Sequence, residues 1–309
     1  MKRNCKNSCI RIILCMIVLF WGIGGFRTVS VYAASAQRPV MSSSMLILKQ
    51  GQRHQLSLKN ASASKVKWSS SGPSVASVTS GGRVTAKRRG IAVVTAKYKS
   101  VSYKCRVYVF TSNKSCKAAG LLSRNKPSGN QGCVILAGSS SIALWKSSAT
   151  ALSPLNTINI GVSDTKAEDW MDWFPDMIVK YRPKAVVIYL GGNGIRTRNA
   201  SGTAVGRRLC SILKDIRKKL PDTQIYYISI FPTPERTAYW KETTKSNKVV
   251  KTYCESDQNS HYIDIVPGFF RNNRLRKDIF ADGLHLNRKG YQIWDTAVRK
   301  AFQKNGLMK

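Results

Sequence analysis

Between residues 40 and 110 the apolar side chains come in short alternating runs: Leu46 and Leu48, Leu56 and Leu58, Val66 and Trp68, Val75 and Val78, Ile91 and Val93, then Tyr103, Cys105, Val107 and Val109. A period of two puts successive side chains on opposite faces of an extended chain, so these runs predict half-buried strands. Gly51-Gln52, Ser71-Gly72-Pro73, Gly81-Gly82 and Arg89-Gly90 separate them. Turn residues at such close spacing predict a small all-β sandwich. Beyond residue 131 the pattern changes. Apolar strands are expected at 133–137, 157–160, 185–190, 224–230 and 262–265, and helices at 166–181, 204–220, 244–256 and 287–303. Strand and helix in alternation predict a doubly wound parallel α/β sheet, whose ligands sit at the carboxyl ends of the strands. Residues 112–131, rich in Ser, Asn, Lys and Gly, read as a linker. The chain therefore divides into a sandwich at 40–111, the linker and an α/β domain at 132–309.

Ahead of the sandwich, Lys2, Arg3, Lys6 and Arg11 precede an apolar run from Ile12 to Phe26, followed by the small-residue stretch Val31 to Ala36. This is the layout of a signal peptide, with cleavage expected near Ala34. The apolar run is shorter than the ~20 residues that a spanning helix needs, which argues against a permanent anchor. A secreted or cell-surface location follows.

Charge changes the picture next. Lys and Arg total 51 against 15 Asp and Glu, a net charge of +36, and no acidic residue occurs before Asp164. Residues 36 to 111 alone hold 14 basic residues and no acidic one. Such a field attracts polyanions without selecting among them. Export argues against nucleic acid and leaves anionic cell-envelope polymers as the expected partner. Five cysteines follow the signal segment: Cys105, Cys116, Cys133, Cys210 and Cys254. A Cys116–Cys133 bridge and buried free thiols are both open readings, and no pair has zinc-ligand spacing.

Three loops carry residues suited to chemistry. The first strand of the α/β domain ends at Gly138 and Ser139, Ser140 and Ser141 follow, where a helix should begin. Helix N-termini offer free N–H groups to a developing negative charge, although serines there also serve as plain N-caps. A serine hydroxyl needs a base. Of the two histidines in this half, His261 sits on an apolar strand and reads as packed. His285 lies in a glycine-containing loop before the last helix, three residues after Asp282. An Asp at that spacing can hold the far ring nitrogen and stabilise the imidazolium that forms when the near one takes a proton. The strand 185–190 delivers Gly191-Gly192-Asn193, where Asn193 is either an oxyanion donor or part of an ordinary turn.

Taken together these blocks resemble the SGNH or GDSL-like lipase/acylhydrolase superfamily over residues 132 to 305. Gly138-Ser139-Ser140-Ser141 matches its G-D-S motif with Ser139 at the Asp position, Gly191-Gly192-Asn193-Gly194 its G-G-N-D motif with Gly194 for Asp, and Asp282-Gly283-Leu284-His285 its closing motif. The second block, N-x-G-x-x-G-T, reads Asn159 to Thr165 with Asp164 at the last glycine position. The stretch Pro232 to Arg236 with Trp240 resembles one branch of the superfamily. Residues 66–98, followed by 103–110, are similar to group 2 bacterial immunoglobulin-like domains, generally surface spacers or adhesion units.

The resemblance implies a serine esterase without metal or organic cofactor. Ser140, Asp282 and His285 would form the catalytic triad, and Ser140, Asp164 and Asn193 the oxyanion hole. The expected substrate is an ester, with acylated carbohydrate or wall polymer favoured by the surface-type module. The competing reading is a weak or inactive surface protein whose basic immunoglobulin-like domain binds the envelope, for which Asp164 and Gly194 speak.

Overall fold

The structure, a computed structural model, describes residues 37–171, 173–196 and 201–309. The signal segment 1–34 lies outside the described residues. Nine strands build the N-terminal sandwich: β1 (Val40–Met41), β2 (Met45–Lys49), β3 (Arg53–Gln55), β4 (Leu58–Lys59), β5 (Lys67–Ser70), β6 (Ala76–Val78), β7 (Arg83–Ala86), β8 (Gly90–Tyr98) and β9 (Val101–Phe110). A sheet ordered β2-β9-β8-β5 faces a sheet ordered β3-β7-β6, and β1 pairs with β4. Leu46, Leu48, Leu56, Val84, Val94, Cys105, Val107 and Val109 fill the space between the sheets. Gly82 is required where it stands. Its φ is +84°, and a Cβ there would come 2.5 Å from the Leu56 carbonyl oxygen and 2.9 Å from the Trp68 ring.

On β8 the interior of the sandwich takes Ala92, Val94 and Ala96, not the Ile91 and Val93 that the alternation suggested. The physical reason lies on the other face of the sheet. Ile91, Met45 and Ile47 pack with the buried Tyr108 and Phe110 into the core of the α/β domain. This sheet is thus covered on both sides, and the bulkier residues of β8 serve the second.

The segment expected to be a linker holds helix α1 (Asn113–Arg124). The Ser112 side chain caps it by accepting from the Lys114 N–H. Ser115, Ala118, Ala119 and Leu122 are buried at helical spacing, so small side chains let α1 lie close to the sheet.

The α/β domain is a five-stranded parallel sheet of order β11-β10-β12-β13-β14, from β10 (Val134–Gly138), β11 (Thr157–Asn159), β12 (Ala185–Tyr189), β13 (Gln224–Ile228) and β14 (Ser260–Ile263). Strand order reverses between β10 and β12, which is where a doubly wound sheet opens a crevice at its carboxyl edge. Two short helices, α2 (Ser140–Ala143) and α3 (Ser148–Ala151), follow β10. The helix expected over 166–181 is interrupted: a 3-10 turn at Ala167–Asp169, then α4 (Phe174–Ile178) and a second 3-10 turn. Pro175 has no N–H to continue a ladder from residue 171 and so begins a new helix. Helix α5 (Gly192–Ile195) follows β12, and α6 (Gly202–Lys219), α7 (Trp240–Glu255) and α8 (Arg288–Lys304) complete the layers.

The sandwich and the α/β domain share a polar seam as well as a core. Arg106 Nη1 donates to both carboxylate oxygens of Asp176, at 3.0 and 2.8 Å, and the Tyr108 hydroxyl donates to Asp176 at 2.7 Å. Phe110 meets Trp173 edge-on, with ring centroids 5.6 Å apart.

Candidate active site

Strand β10 ends in a turn that only glycine can make. At Gly138 φ is +157°, and a Cβ would lie 2.2 Å from the Tyr189 carbonyl oxygen. The chain turns there into α2, with Ser140 as its first residue. Being only four residues long, α2 has little dipole to offer. Its contribution is the N–H groups of Ser140 and Ser141, which no backbone carbonyl of the described residues accepts, those of Ile142 and Ala143 being bonded to the Ser139 carbonyl. Two hydrogen bonds hold α2 from outside. Asn159 Nδ2 donates to the Ile142 carbonyl at 2.7 Å, and the Tyr291 hydroxyl to the Ser141 carbonyl at 2.8 Å.

His285 comes from the loop before α8. Its Nε2 lies 3.1 Å from Ser140 Oγ, and its Nδ1 lies 2.7 Å from Asp282 Oδ2. The other Asp282 oxygen accepts the backbone N–H groups of His285 at 2.7 Å and Leu284 at 3.1 Å. These bonds, the one to the His285 ring foremost, hold the Asp282 carboxyl at a pKa of about 2, so it stays ionised through the neutral range. An ionised carboxylate only accepts, so Nδ1 carries the imidazole proton and Nε2 is left to accept from the serine.

Asn193, in α5, is buried. Its Nδ2 donates to the Thr165 carbonyl at 3.2 Å, and its Oδ1 accepts from Arg236 Nη2 at 3.1 Å. Asp164 adopts φ +57°, the left-handed backbone that a family glycine position can demand. Its carboxylate is bonded to Lys114 Nζ at 2.6 Å and to Arg196 Nη2 at 3.3 Å. Lys114, and to a lesser degree Arg196, lowers its pKa below the ordinary carboxylate range, which burial opposes. The side chain is thus tied to two cations. No backbone carbonyl among the described residues accepts the Asp164 N–H.

The pocket above Ser140 and His285 is walled by Tyr189, Phe231, Trp240 and Leu284, with Asn193 and Arg236 on its polar side. The sequence assigns no catalytic task to Arg236, Tyr291 or Asn159, Arg236 and Asn159 being motif residues only. Tyr291 and Asn159 act on backbone carbonyls of α2, a contact that no side-chain pattern announces. His261 is elsewhere, its Nε2 2.5 Å from Gln224 Oε1. All five cysteines of the described residues are free, so Cys116 and Cys133 are not joined. Among those residues no three of His, Cys, Asp and Glu converge as they would to hold a metal ion.

The model of the GDSL-like lipase/acylhydrolase family matches residues 135–293. The chain belongs to this family. It is accordingly a hydrolase acting on ester bonds. The model of the group 2 bacterial Ig-like domain matches residues 40–109 of the same acylhydrolase, and modules of that kind are typical of bacterial surface proteins. Among solved structures, the acylhydrolase is similar to an acylhydrolase from Bacteroides fragilis NCTC 9343, at 18% identity and a TM-score of 0.52, over 61% of this chain and 94% of the other. A GDSL-like lipase from Bacteroides thetaiotaomicron VPI-5482 aligns at 16% identity and a TM-score of 0.51, over 62% and 98%. At such identities the likeness concerns the fold. No curated protein sequence matches the chain. No helix of the described residues is long and apolar enough to cross a membrane.

Proposed function

We propose that this acylhydrolase is an exported serine esterase in which Ser140 is the nucleophile, His285 the general base and acid, and Asp282 the residue that orients and charges it. The observation that carries the reading is the unbroken chain of contacts, 3.1 Å from Ser140 Oγ to His285 Nε2 and 2.7 Å from His285 Nδ1 to Asp282. His285 takes the serine proton as Oγ attacks the acyl carbon, then returns it to the leaving alcohol. Water, deprotonated by the same imidazole, releases the acid. The negative oxygen of each tetrahedral intermediate faces the N–H groups of Ser140 and Asp164 and the Nδ2 amide of Asn193. Each such donor is worth roughly 10²- to 10³-fold in rate.

The acyl group is short, a reading supported by the aromatic side chains of Tyr189, Phe231 and Trp240 that line the pocket beside Ser140. The alcohol part is a carbohydrate or wall polymer, a reading supported by the signal-type N-terminal sequence and by the immunoglobulin-like module. The 14 basic residues of 36–111 hold the protein to the anionic envelope. Binding to isolated walls should then weaken steeply with salt, since exposed charges act over a Debye length of ~8 Å at physiological ionic strength. Salt-independent retention would contradict it.

The test of the site is Ser140→Ala assayed on p-nitrophenyl acetate. It should abolish turnover while leaving thermal unfolding nearly unchanged. Activity that survives in Ser140→Ala but is lost in Ser139→Ala would move the nucleophile by one residue.

A further inference from the structure

The Asn193 carboxamide has two ends of opposite character, and only one of them serves a negative oxygen. Facing the hole with Nδ2 it donates a proton, whereas facing it with Oδ1 it would repel the intermediate. The two orientations differ by a half-turn of one side-chain torsion. Something must choose between them. On one side stands Arg236, whose guanidinium has donors and no acceptor, so the amide end that meets Nη2 at 3.1 Å must be Oδ1. On the other stands the Thr165 carbonyl, which only accepts, so the end that meets it at 3.2 Å must be Nδ2. Nδ2 carries two protons. One is used on Thr165, and the second remains for the substrate.

Arg236 does not have the surroundings of a structural arginine. Arg217 bonds Asp257 through Nε at 2.9 Å and spreads its other nitrogens over the carbonyls of Leu220, Thr223 and Asn259. Arg106 chelates Asp176. By contrast, no salt bridge joins Arg236 to a carboxylate of the described residues, its one side-chain bond goes to Asn193, and its buried Nε–H has no partner. Its seat is tight, since a Cβ on Gly192 would come 3.3 Å from Nη1. Arg236 is half-buried, and drawing a cation partly out of water with no counter-charge beside it and its Nε–H unbonded costs free energy that a residue merely filling space would not incur.

We propose that Arg236 is the positioning residue of the oxyanion hole, locking the Asn193 carboxamide with Nδ2 towards the substrate and adding a fixed positive charge behind it. This rests on the reading of Asn193 as an oxyanion donor. The transition state gains more from both effects than the neutral ester does, so kcat carries the dependence and KM does not.

The experiment is a double-mutant cycle on the full chain with p-nitrophenyl acetate: wild type, Arg236→Met, Asn193→Ala and the double variant, each with its melting curve. Asn193→Ala should lower kcat by about 10²- to 10³-fold, as the loss of one donor does. Arg236→Met should lower kcat by about 10- to 100-fold at nearly constant KM, a part of that donor's worth, yet cost almost nothing further once Asn193 is gone. Millimolar methylguanidinium should restore part of the activity of Arg236→Ala but not of Asn193→Ala. Equal losses from Arg236→Met in both backgrounds, or a loss confined to KM, would overturn the proposal while leaving the triad untouched. Full activity in Asn193→Ala would overturn the reading of the hole itself. Should Arg236→Met fail to fold, the same cycle with Arg236→Lys decides: it keeps the charge and loses the planar fork, and its loss too must vanish in the Asn193→Ala background.

Discussion

Two regions of this molecule are organised around an aspartate, and the two carboxylates do different work. Asp282 at the proposed active site has a side chain 56% exposed, and its partners are the ring and backbone of His285 and the backbone of Leu284, all within three residues. Asp176 in the seam has a side chain 18% exposed, and its partners Arg106 and Tyr108 come from the sandwich, about 70 residues earlier. Burial alone would raise the Asp176 pKa, but hydrogen bonds from Tyr108 and Arg106 outweigh it and bring it below the ordinary range. Asp282 is held at about 2 by its bonds to His285. A local, exposed carboxylate can shape a transition state while contributing little to the fold. A shared, half-dry one binds two domains and has no chemistry to perform.

The same substitution in both places should separate the two roles. Asp282→Asn leaves geometry nearly intact but permits the wrong imidazole tautomer, so kcat should fall by about 10⁴-fold with little change in melting. A fall of less than ~10-fold would mean that His285 works without it. In the seam the largest effect belongs to packing, not charge. Phe110→Ala should destabilise by roughly 3–5 kcal/mol, as large aromatic truncations in cores do, read by denaturant unfolding. Asp176→Asn should cost less, about 1–3 kcal/mol, the worth of hydrogen bonds to a charged group, with kcat of the folded protein unchanged. Reduced kcat in Asp176→Asn at a temperature where it is fully folded would show that the seam reaches the site.

The seam difference should also depend on pH. Because the folded Asp176 pKa lies below its unfolded value, its stabilisation is complete above about pH 4 and is lost as the pH falls through the folded value. The gap in stability between wild type and Asp176→Asn should therefore close in acid. A gap that stays constant to pH 2–3 would assign it to shape rather than charge.

Asp164 marks the smallest effect. Its carboxylate is half exposed and bonded to Lys114 and Arg196, so Asp164→Gly should change log kcat by less than the equivalent of ~1 kcal/mol. A loss of ~100-fold would give this residue a catalytic task of its own.

How far the sequence foretold these regions differs in the same way. Site residues sit at strand ends and in glycine turns, where residue type is constrained locally. The candidates Gly138, Ser140, Asn193 and the Asp282–His285 pair could thus be named in order along the chain. The seam could not. Alternation on β8 and β9 reports that a strand has a buried face, but a strand buried on both faces, as at Tyr108 to Phe110, breaks the period without saying what covers it. Helix α1 was hidden by its composition. Ser115, Ala118, Ala119 and Leu122 do carry helical spacing after the Ser112 cap, yet small side chains make a weak apolar signal. Arg236 was legible only as a motif residue. Its partner stands 43 positions away and on a different strand end, and contacts of that range leave no period.

The most direct measurement of the central claim is covalent. A fluorophosphonate ester, which captures a serine only when a base activates it, should label the protein at one site per chain, with the adduct on Ser140 in the digested peptide. His285→Ala and Asp282→Asn should slow the labelling, and His261→Ala should not. Labelling of Ser139 or of another serine, or turnover of p-nitrophenyl acetate by a protein that takes up no label, would contradict the account.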